Sequence, residues 1–294
     1  MATDANTIGD DRIGGYRFVR TLSAGQNSTV MEVLQETSGR RFVIKQLLQS
    51  KAAIASERKA FEFEAKLGME LRHPDLIRVH EYFRDKNQPY FVMDYFPSMH
   101  LRLVVALPEK YGLPKGRMHS VIRQAGSGLA YMHERNWIHR DVKPENIIVS
   151  KGGDARLIDY ALAMKPFSGI SKLFRKKPLR QGTQSYMSPE QIRCEPPAPA
   201  ADIYSFGITC YELACGRQPF RANSPNDLLN KHLREPPIPP TVYNQNITPE
   251  FSDLVMSMLK KRPADRLGDM QEFLVRFSRI RIHRDDPDPQ TDRG

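Results

Sequence analysis

The chain has 294 residues, 40% of them apolar and 27% charged, with a net charge of +10, which is enough for two domains or one long two-lobed domain. No apolar run reaches the ~18 residues that cross a bilayer, and the opening MATDANTIGDDRIGG is polar and acidic, so neither a membrane span nor a secretory leader is predicted and the chain is read as cytoplasmic. Cys194, Cys210 and Cys215 form an odd set without CxxC spacing, which argues against a disulfide framework or a zinc site and predicts reduced thiols. Much of the positive charge is local: residues 165 to 180 carry six basic residues and no acid, without an aromatic-interleaved recognition pattern, so no nucleic-acid partner is predicted.

After a flexible tail over residues 1–15, YRFVRTL, TVMEVLQ and RFVIKQL are rich in β-branched and aromatic residues and predict an antiparallel meander. Residues 51 to 72 carry Ala, Glu, Lys and Leu at helical spacing, and HPD ends the pattern. IRVHEYF and PYFVMDYF around the turn DKNQ complete a predicted five-stranded antiparallel sheet with one main helix, spanning residues 16–94. Beyond it the pattern turns helical, first in KGRMHSVIRQAGSGLAYMHERN, where Ile122, Ala125, Leu129 and Met132 recur at spacings of three and four. NIIVS and ARLID predict a short hairpin, DIYSFGITCYELACG a buried helix, and the Pro-rich stretch 234–251 a connector. The polar end, 279–294, is predicted to be a disordered tail, and there are no internal repeats.

The chemistry concentrates in HRDVKPEN, residues 139 to 146. Phosphoryl transfer needs a carboxylate to orient and accept the proton of the attacking hydroxyl, and hard oxygen ligands for magnesium. Asp141 and Asn146, five residues apart, supply such a pair, Lys143 offers charge for the transferring phosphate, and Asp159, thirteen residues beyond Asn146 across the hairpin, adds a second metal-binding carboxylate.

With VIK around Lys45, Glu64 nine residues before HPDLI, HRDVKPEN, DYA, GTQSYMSPE, DIYSFGITCYEL and RPADR in this order, the chain resembles a eukaryotic-type protein kinase of the serine/threonine branch. The resemblance implies an α+β bilobal kinase fold over residues 16–278, with an N-lobe over 16–94, a hinge over 94–97 and a C-lobe over 98–278. It implies ATP and Mg2+ as cofactors and a protein substrate with a Ser or Thr acceptor. Lys45, held by Glu64, would pair the nucleotide's phosphates, Asp141 would be the catalytic base assisted by Lys143, and Asn146 and Asp159 would hold the metal. Leu22, Ser23, Gly25, Val30, Val43, Met93, Asp94, Phe96 and Ile148 would bind the nucleotide. His139 is read as a core histidine, Thr183 as a partner of Asp141 and Lys143, and Glu190 as a partner of Arg266. Arg140 would receive a regulatory phosphate on Ser168 or Ser171, placed there by self-association of two copies. Glu145 is read as a solvated acid with a weak attraction for a basic substrate residue.

Departures from the family pattern concern the nucleotide loop and the helix of Glu64. GxGxxGxV appears as Ser23-Ala24-Gly25-Gln26-Asn27-Ser28-Thr29-Val30, which keeps only the middle glycine. Gly68, four residues after Glu64, is expected to leave a gap and a loosely docked helix. A pseudokinase, a nucleotide-binding or scaffolding module without turnover, is the alternative function.

Overall fold

The computed structural model describes residues 12–167 and 180–288. The chain divides into two compact units, Met1–Arg72 with Ile77–Phe96, and His73–Leu76 with Pro97–Gly294.

The first unit is an antiparallel sheet with a helix on one face. Its strands are β1 (Arg12–Ile13), β2 (Tyr16–Ala24), β3 (Ser28–Gln35), β4 (Arg41–Leu47), β5 (Val79–Phe83) and β6 (Tyr90–Asp94), in the spatial order β1-β2-β3-β4-β6-β5. Period-2 alternation sorts the side chains. Met31, Val33, Phe42, Ile44 and Val92 gather with Tyr16 and Tyr90 on one face. On the opposite face, Leu47, Val79 and Phe91 pack against Phe61 and Ala65 of α1 (Ala55–Glu70). Glu64 lies three residues after Phe61 and one before Ala65, so helical geometry turns it to the same face.

Two expectations change here. The sheet gains a sixth strand, β1, inside the stretch predicted as tail. Gly14, at φ +59°, reverses the chain so that Ile13 pairs with Tyr16 and joins the Tyr16 cluster, and a Cβ on Gly14 would stand 2.5 Å from the Tyr90 hydroxyl. The helix starts at Ala55, after a separate turn at Gln49–Ala52, and includes Gly68 among its buried residues.

The second unit is mainly helical. It includes α2 (Leu101–Ala106), α3 (Arg117–Glu134), α4 (Pro189–Ile192), α5 (Pro199–Cys215), α6 (Pro225–Arg234), α7 (Pro249–Met258) and α8 (Met270–Phe277). A small sheet joins β7 (Met99–His100), β8 (Ile147–Val149) and β9 (Ala155–Leu157). His73–Leu76, expected to belong with the first sheet, packs here instead: Leu76 bridges Leu157, and the Leu157 N–H donates to the Asp75 carbonyl at 2.9 Å. Gly128 of α3 permits that approach, since a Cβ there would lie 3.0 Å from both Leu157 and Leu76. The helix α5 is buried almost throughout, as its uninterrupted apolar pattern requires.

The C-terminal stretch is also docked further than its composition predicts. Ile282 is fully buried, the Thr248 N–H donates to its carbonyl at 3.0 Å, and the Arg284 N–H donates to Asn246 O at 2.8 Å, so the ordered chain extends past residue 278. One buried apolar anchor outweighs the polar residues around it. Ser168 and Ser171 lie outside the described residues.

On the inner face of α6, His232 is buried against Tyr204 and Phe220, its Nδ1 3.0 Å from the Tyr204 hydroxyl. Lys261 donates to the carbonyl of His232 at 2.8 Å. Burial first, then the charge of Lys261, pushes the imidazole down to about 3. Because the unfolded chain takes up a proton near pH ~6.5 and the folded chain does not, stability falls as pH drops from ~6.5 towards 3, at up to about 1.4 kcal/mol per pH unit. Urea unfolding at about pH 7 and about pH 5 should give a smaller difference for His232→Gln than for the parent; an equal difference would contradict this assignment.

Candidate active site

In the first unit, cross-strand register brings the expected nucleotide residues onto the α1 face of the sheet. Ser23 pairs with Val30, Val30 with Lys45, and Val43 with Met93, so these side chains share one face. Leu22 is half-exposed on β2. The glycine-poor loop closes as a tight hairpin: Ala24 pairs with Thr29, and the Gly25 N–H donates to Ser28 O at 2.9 Å. A Cβ on Gly25 would sit 3.3 Å from that carbonyl, so the surviving glycine serves close approach within the turn. Asp94 ends β6 with its carboxylate 2.7 Å from His80 Nε2, and Phe96 follows at the edge of this unit.

Lys45 Nζ donates to Glu64 Oε1 at 2.6 Å, with both side chains largely shielded from water. A buried carboxylate and ammonium stabilise one another only as a pair, because either alone carries an uncompensated desolvation cost.

In the second unit, the loop that follows α3 is held by the carboxylate of Asp202, in the first turn of α5. Its Oδ2 accepts the His139 N–H at 2.7 Å and faces His133 Nε2 at 2.8 Å, while Oδ1 accepts the Arg140 N–H at 2.8 Å. Burial alone would raise the Asp202 carboxyl, but the His133 hydrogen bond, the charges of His133 and His139 and the Arg140 N–H hold it below the usual carboxylate range. Arg140 sits at φ +68°, a left-handed conformation unusual for a residue with a side chain. Its carbonyl accepts from Gln191 Nε2 at 2.9 Å. Burial lowers the Arg140 guanidinium, with Asp202 and Cys194 opposing the shift.

His139 is fully buried and stands edge-on to Tyr160, with ring centroids 6.2 Å apart. Its Nε2 lies 3.2 Å from Ile158 O, and its Nδ1 accepts the Asp141 N–H at 3.4 Å, so the ring links the loop to the segment just before Asp159.

Asp141 is the point of convergence. Its Oδ1 accepts from the N–H and hydroxyl of Thr183 at 3.0 and 3.3 Å. Its Oδ2 lies 2.6 Å from Lys143 Nζ and accepts from Asn146 Nδ2 at 3.0 Å. Lys143 also donates to Thr183 Oγ1 at 2.6 Å. Gly182, at φ +110°, lets residue 183 approach; a Cβ there would meet Arg140 O at 3.2 Å.

The Ile158 N–H donates to Asn146 O at 3.0 Å across the β8–β9 hairpin, which sets Asp159 at the same end as Asn146. Asn146 uses its Nδ2 on Asp141, which leaves its Oδ1 as the oxygen that could, with the Asp159 carboxylate, serve a hard cation such as magnesium. Asp159 is itself at φ +68°. Ile148 lies on β8 opposite Arg156.

A sequence model of the protein kinase domain matches residues 16–276. The chain belongs to the protein kinase family. It is 30% identical over 269 residues to a probable serine/threonine-protein kinase of Streptomyces coelicolor, covering 90% of this chain and 40% of that one. It is 32% identical over 227 residues to the serine/threonine-protein kinase PknB of Mycolicibacterium smegmatis, covering 76% of this chain and 36% of PknB. It is 28% identical over 292 residues to PknA of Mycobacterium tuberculosis, covering 96% of this chain and 65% of PknA. This kinase chain therefore spans 36% to 65% of the length of those two mycobacterial relatives.

Three features of the kinase site escaped the reading of its sequence. Asp202 and Glu212 are acids inside an otherwise apolar helix, and that placement was the available signal, since a buried acid requires a partner. Gln191 caps α4 through Ser188 and also ties the Arg140 carbonyl. Glu145, read as a solvated acid, is partly exposed and also paired; its Oε1 accepts from Arg102 Nε at 2.7 Å. The pairing that was expected, Glu190 with Arg266, is present as a buried two-pronged pair at 2.6 and 2.8 Å.

Replacing Asp202 by Asn puts an amide donor against one of the N–H groups of His139 and Arg140 and removes the charge facing His133. Urea denaturation should show a loss of about 3 kcal/mol, and a loss within about 0.5 kcal/mol, the usual range for surface substitutions, would contradict the role given to this carboxylate.

Proposed function

We propose that this chain is an ATP- and Mg2+-dependent protein serine/threonine kinase. The observation that carries the reading is the arrangement around Asp141, whose two oxygens are held by Thr183, Lys143 and Asn146 in a loop fixed by Asp202. A carboxylate so placed can orient a Ser or Thr hydroxyl towards the γ-phosphate of ATP and accept its proton as the new P–O bond forms and the bond to ADP breaks. Lys143, bridging Asp141 and Thr183, supplies positive charge for the phosphoryl group in flight. Lys45, steadied by Glu64, is the charge for the nucleotide's phosphates.

Asn146 Oδ1 and the Asp159 carboxylate would hold magnesium. Bound there, the ion neutralises phosphate charge. The names of the relatives support Ser and Thr as acceptors. Three cysteines without disulfide spacing fit a cytoplasmic setting, and among the described residues no helix is long and apolar enough to cross a membrane. Regulation belongs to the same reading: Arg140 is the partner for a phosphate on Ser168 or Ser171, added by a second copy of the chain.

The test is to incubate the parent and Asp141→Asn with labelled ATP, magnesium and a generic basic protein, followed by phosphopeptide mapping. The parent should label the substrate and its own Ser168 or Ser171, and Asp141→Asn should lose at least about 100-fold, the usual contribution of a positioned acid or base. Equal labelling in both would overturn the assignment of Asp141. Nucleotide binding without labelling in either would make the chain a binding module.

A further inference from the structure

The Pro-rich stretch between α6 and α7 takes no part in the chemistry at Asp141, yet its backbone is tightly constrained. In Glu235-Pro236-Pro237-Ile238-Pro239-Pro240 each proline ring fixes its own φ near −65°. Glu235, Pro236, Ile238 and Pro239 each precede a proline, which drives them out of the helical region. The result is visible at both ends: Glu235 lies at φ −80° and ψ 127°, and Pro239 at φ −57° and ψ 139°, both within the polyproline II region.

Polyproline II has three residues per turn, so residues three apart share an edge. Burial follows that period. Glu235 and Ile238 are exposed, Pro236 and Pro239 are exposed, and Pro237 and Pro240 turn inward, half-buried and buried. The segment is fastened from behind: the Tyr211 hydroxyl donates to Ile238 O at 2.9 Å, the Val242 N–H to Pro239 O at 3.0 Å and the Asn244 N–H to Pro240 O at 3.1 Å. Among the described residues, nothing donates to the carbonyls of Pro236 and Pro237. Two dipeptides, Glu235-Pro236 and Ile238-Pro239, therefore repeat along the outer side at ~9 Å, one turn apart.

The flanks suit the same surface. Ile238, Val242 and Tyr243 are 45%, 64% and 37% exposed, a run of large apolar side chains left open to water within six residues. At the other end Arg234 is exposed and, among the described residues, makes no ion pair. A sheet edge cannot pair here, because four of the six residues from 235 to 240 lack an N–H. What fits is a groove lined by aromatic rings, which packs each exposed X-Pro pair against the rings and donates to the open carbonyls. The prolines hold the bound form before contact, so little chain entropy is lost on binding.

We propose that residues 235–239 are a docking ridge for a partner protein that reads polyproline II through an aromatic-lined groove, with Arg234 meeting an acid on the rim of that groove. Recruitment there does not involve Asp141, and so stands whether or not the chain transfers phosphate.

The test titrates the full chain with a panel of purified SH3, WW and EVH1 domains as probes. At least one domain should bind with a Kd of about 100 μM or tighter, and a free proline decamer should displace it. Replacing both Pro236 and Pro239 by Ala should weaken that binding about tenfold, the loss expected when a fitted pair is removed from each half of the groove. Ile238→Glu should weaken it to a similar extent, with thermal unfolding unchanged in both variants. Val275→Ser, which removes an exposed apolar side chain from α8, should alter binding less than about twofold. Binding by no domain of the panel would overturn the proposal, as would binding that survives the proline decamer or the variants. A dimer of the chain in sedimentation that Ile238→Glu dissociates would also overturn it, because the ridge would then be a contact between copies. Should the double proline variant not fold, Ile238→Glu decides, since it changes one exposed side chain and keeps all four prolines.

Discussion

Asp202 accepts two consecutive backbone N–H groups, from His139 and Arg140, on its two oxygens, and the oxygen that takes the His139 N–H also holds His133. Two adjacent amides can face one carboxylate only if the chain between them turns sharply, and Arg140 takes that turn at φ +68°. A left-handed conformation costs of order 1 kcal/mol for a residue with a side chain, and charge-assisted hydrogen bonds in a dry environment outweigh it. Once Arg140 is fixed, Asp141 has little choice of direction. Its carboxylate then meets Lys143, Asn146 and Thr183, which arrive from the same loop and from the segment after Gly182.

The same physical rule recurs through the molecule. Glu64 is matched by Lys45, Glu190 by Arg266, Glu212 by Arg102, and Asp202 by His133 and the loop amides. An isolated buried acid would shift its pKa and neutralise rather than stay charged, so each pair obliges two distant segments to meet. Three of the four fasten a segment that the proposed catalytic chemistry would use: the helix of Glu64, the loop of Asp141, and the stretch from Thr183 to Tyr186. Burying charge contributes little net stability; its effect here is to restrict these segments to one arrangement.

Much of this was legible in the sequence because the motifs are local. The strands β2 to β6, the helix of Glu64, the β8–β9 hairpin and the buried helix α5 announce themselves by period, and HRDVKPEN by composition. The two-residue strands β1 and β7 carry too few residues for any period to register, and His73–Leu76 reads like a simple helix stop while its partners lie some eighty residues away at Leu157. Arg102 was invisible for a related reason. Its partners Glu145 and Glu212 lie 43 and 110 residues further along, and an arginine on a short helix looks like any solvated one until the fold brings them together.

The central claim, that a buried carboxylate presets the catalytic loop before any substrate arrives, is reached most directly by amide hydrogen exchange on the chain without nucleotide. The amides of His139 and Arg140 should exchange as slowly as those in the middle of the buried helix α5, because both are spent on Asp202 and opening them requires unfolding of that core. Exchange of these two amides at the rate of exposed loop positions would mean that the loop is not held by Asp202, and would contradict the account.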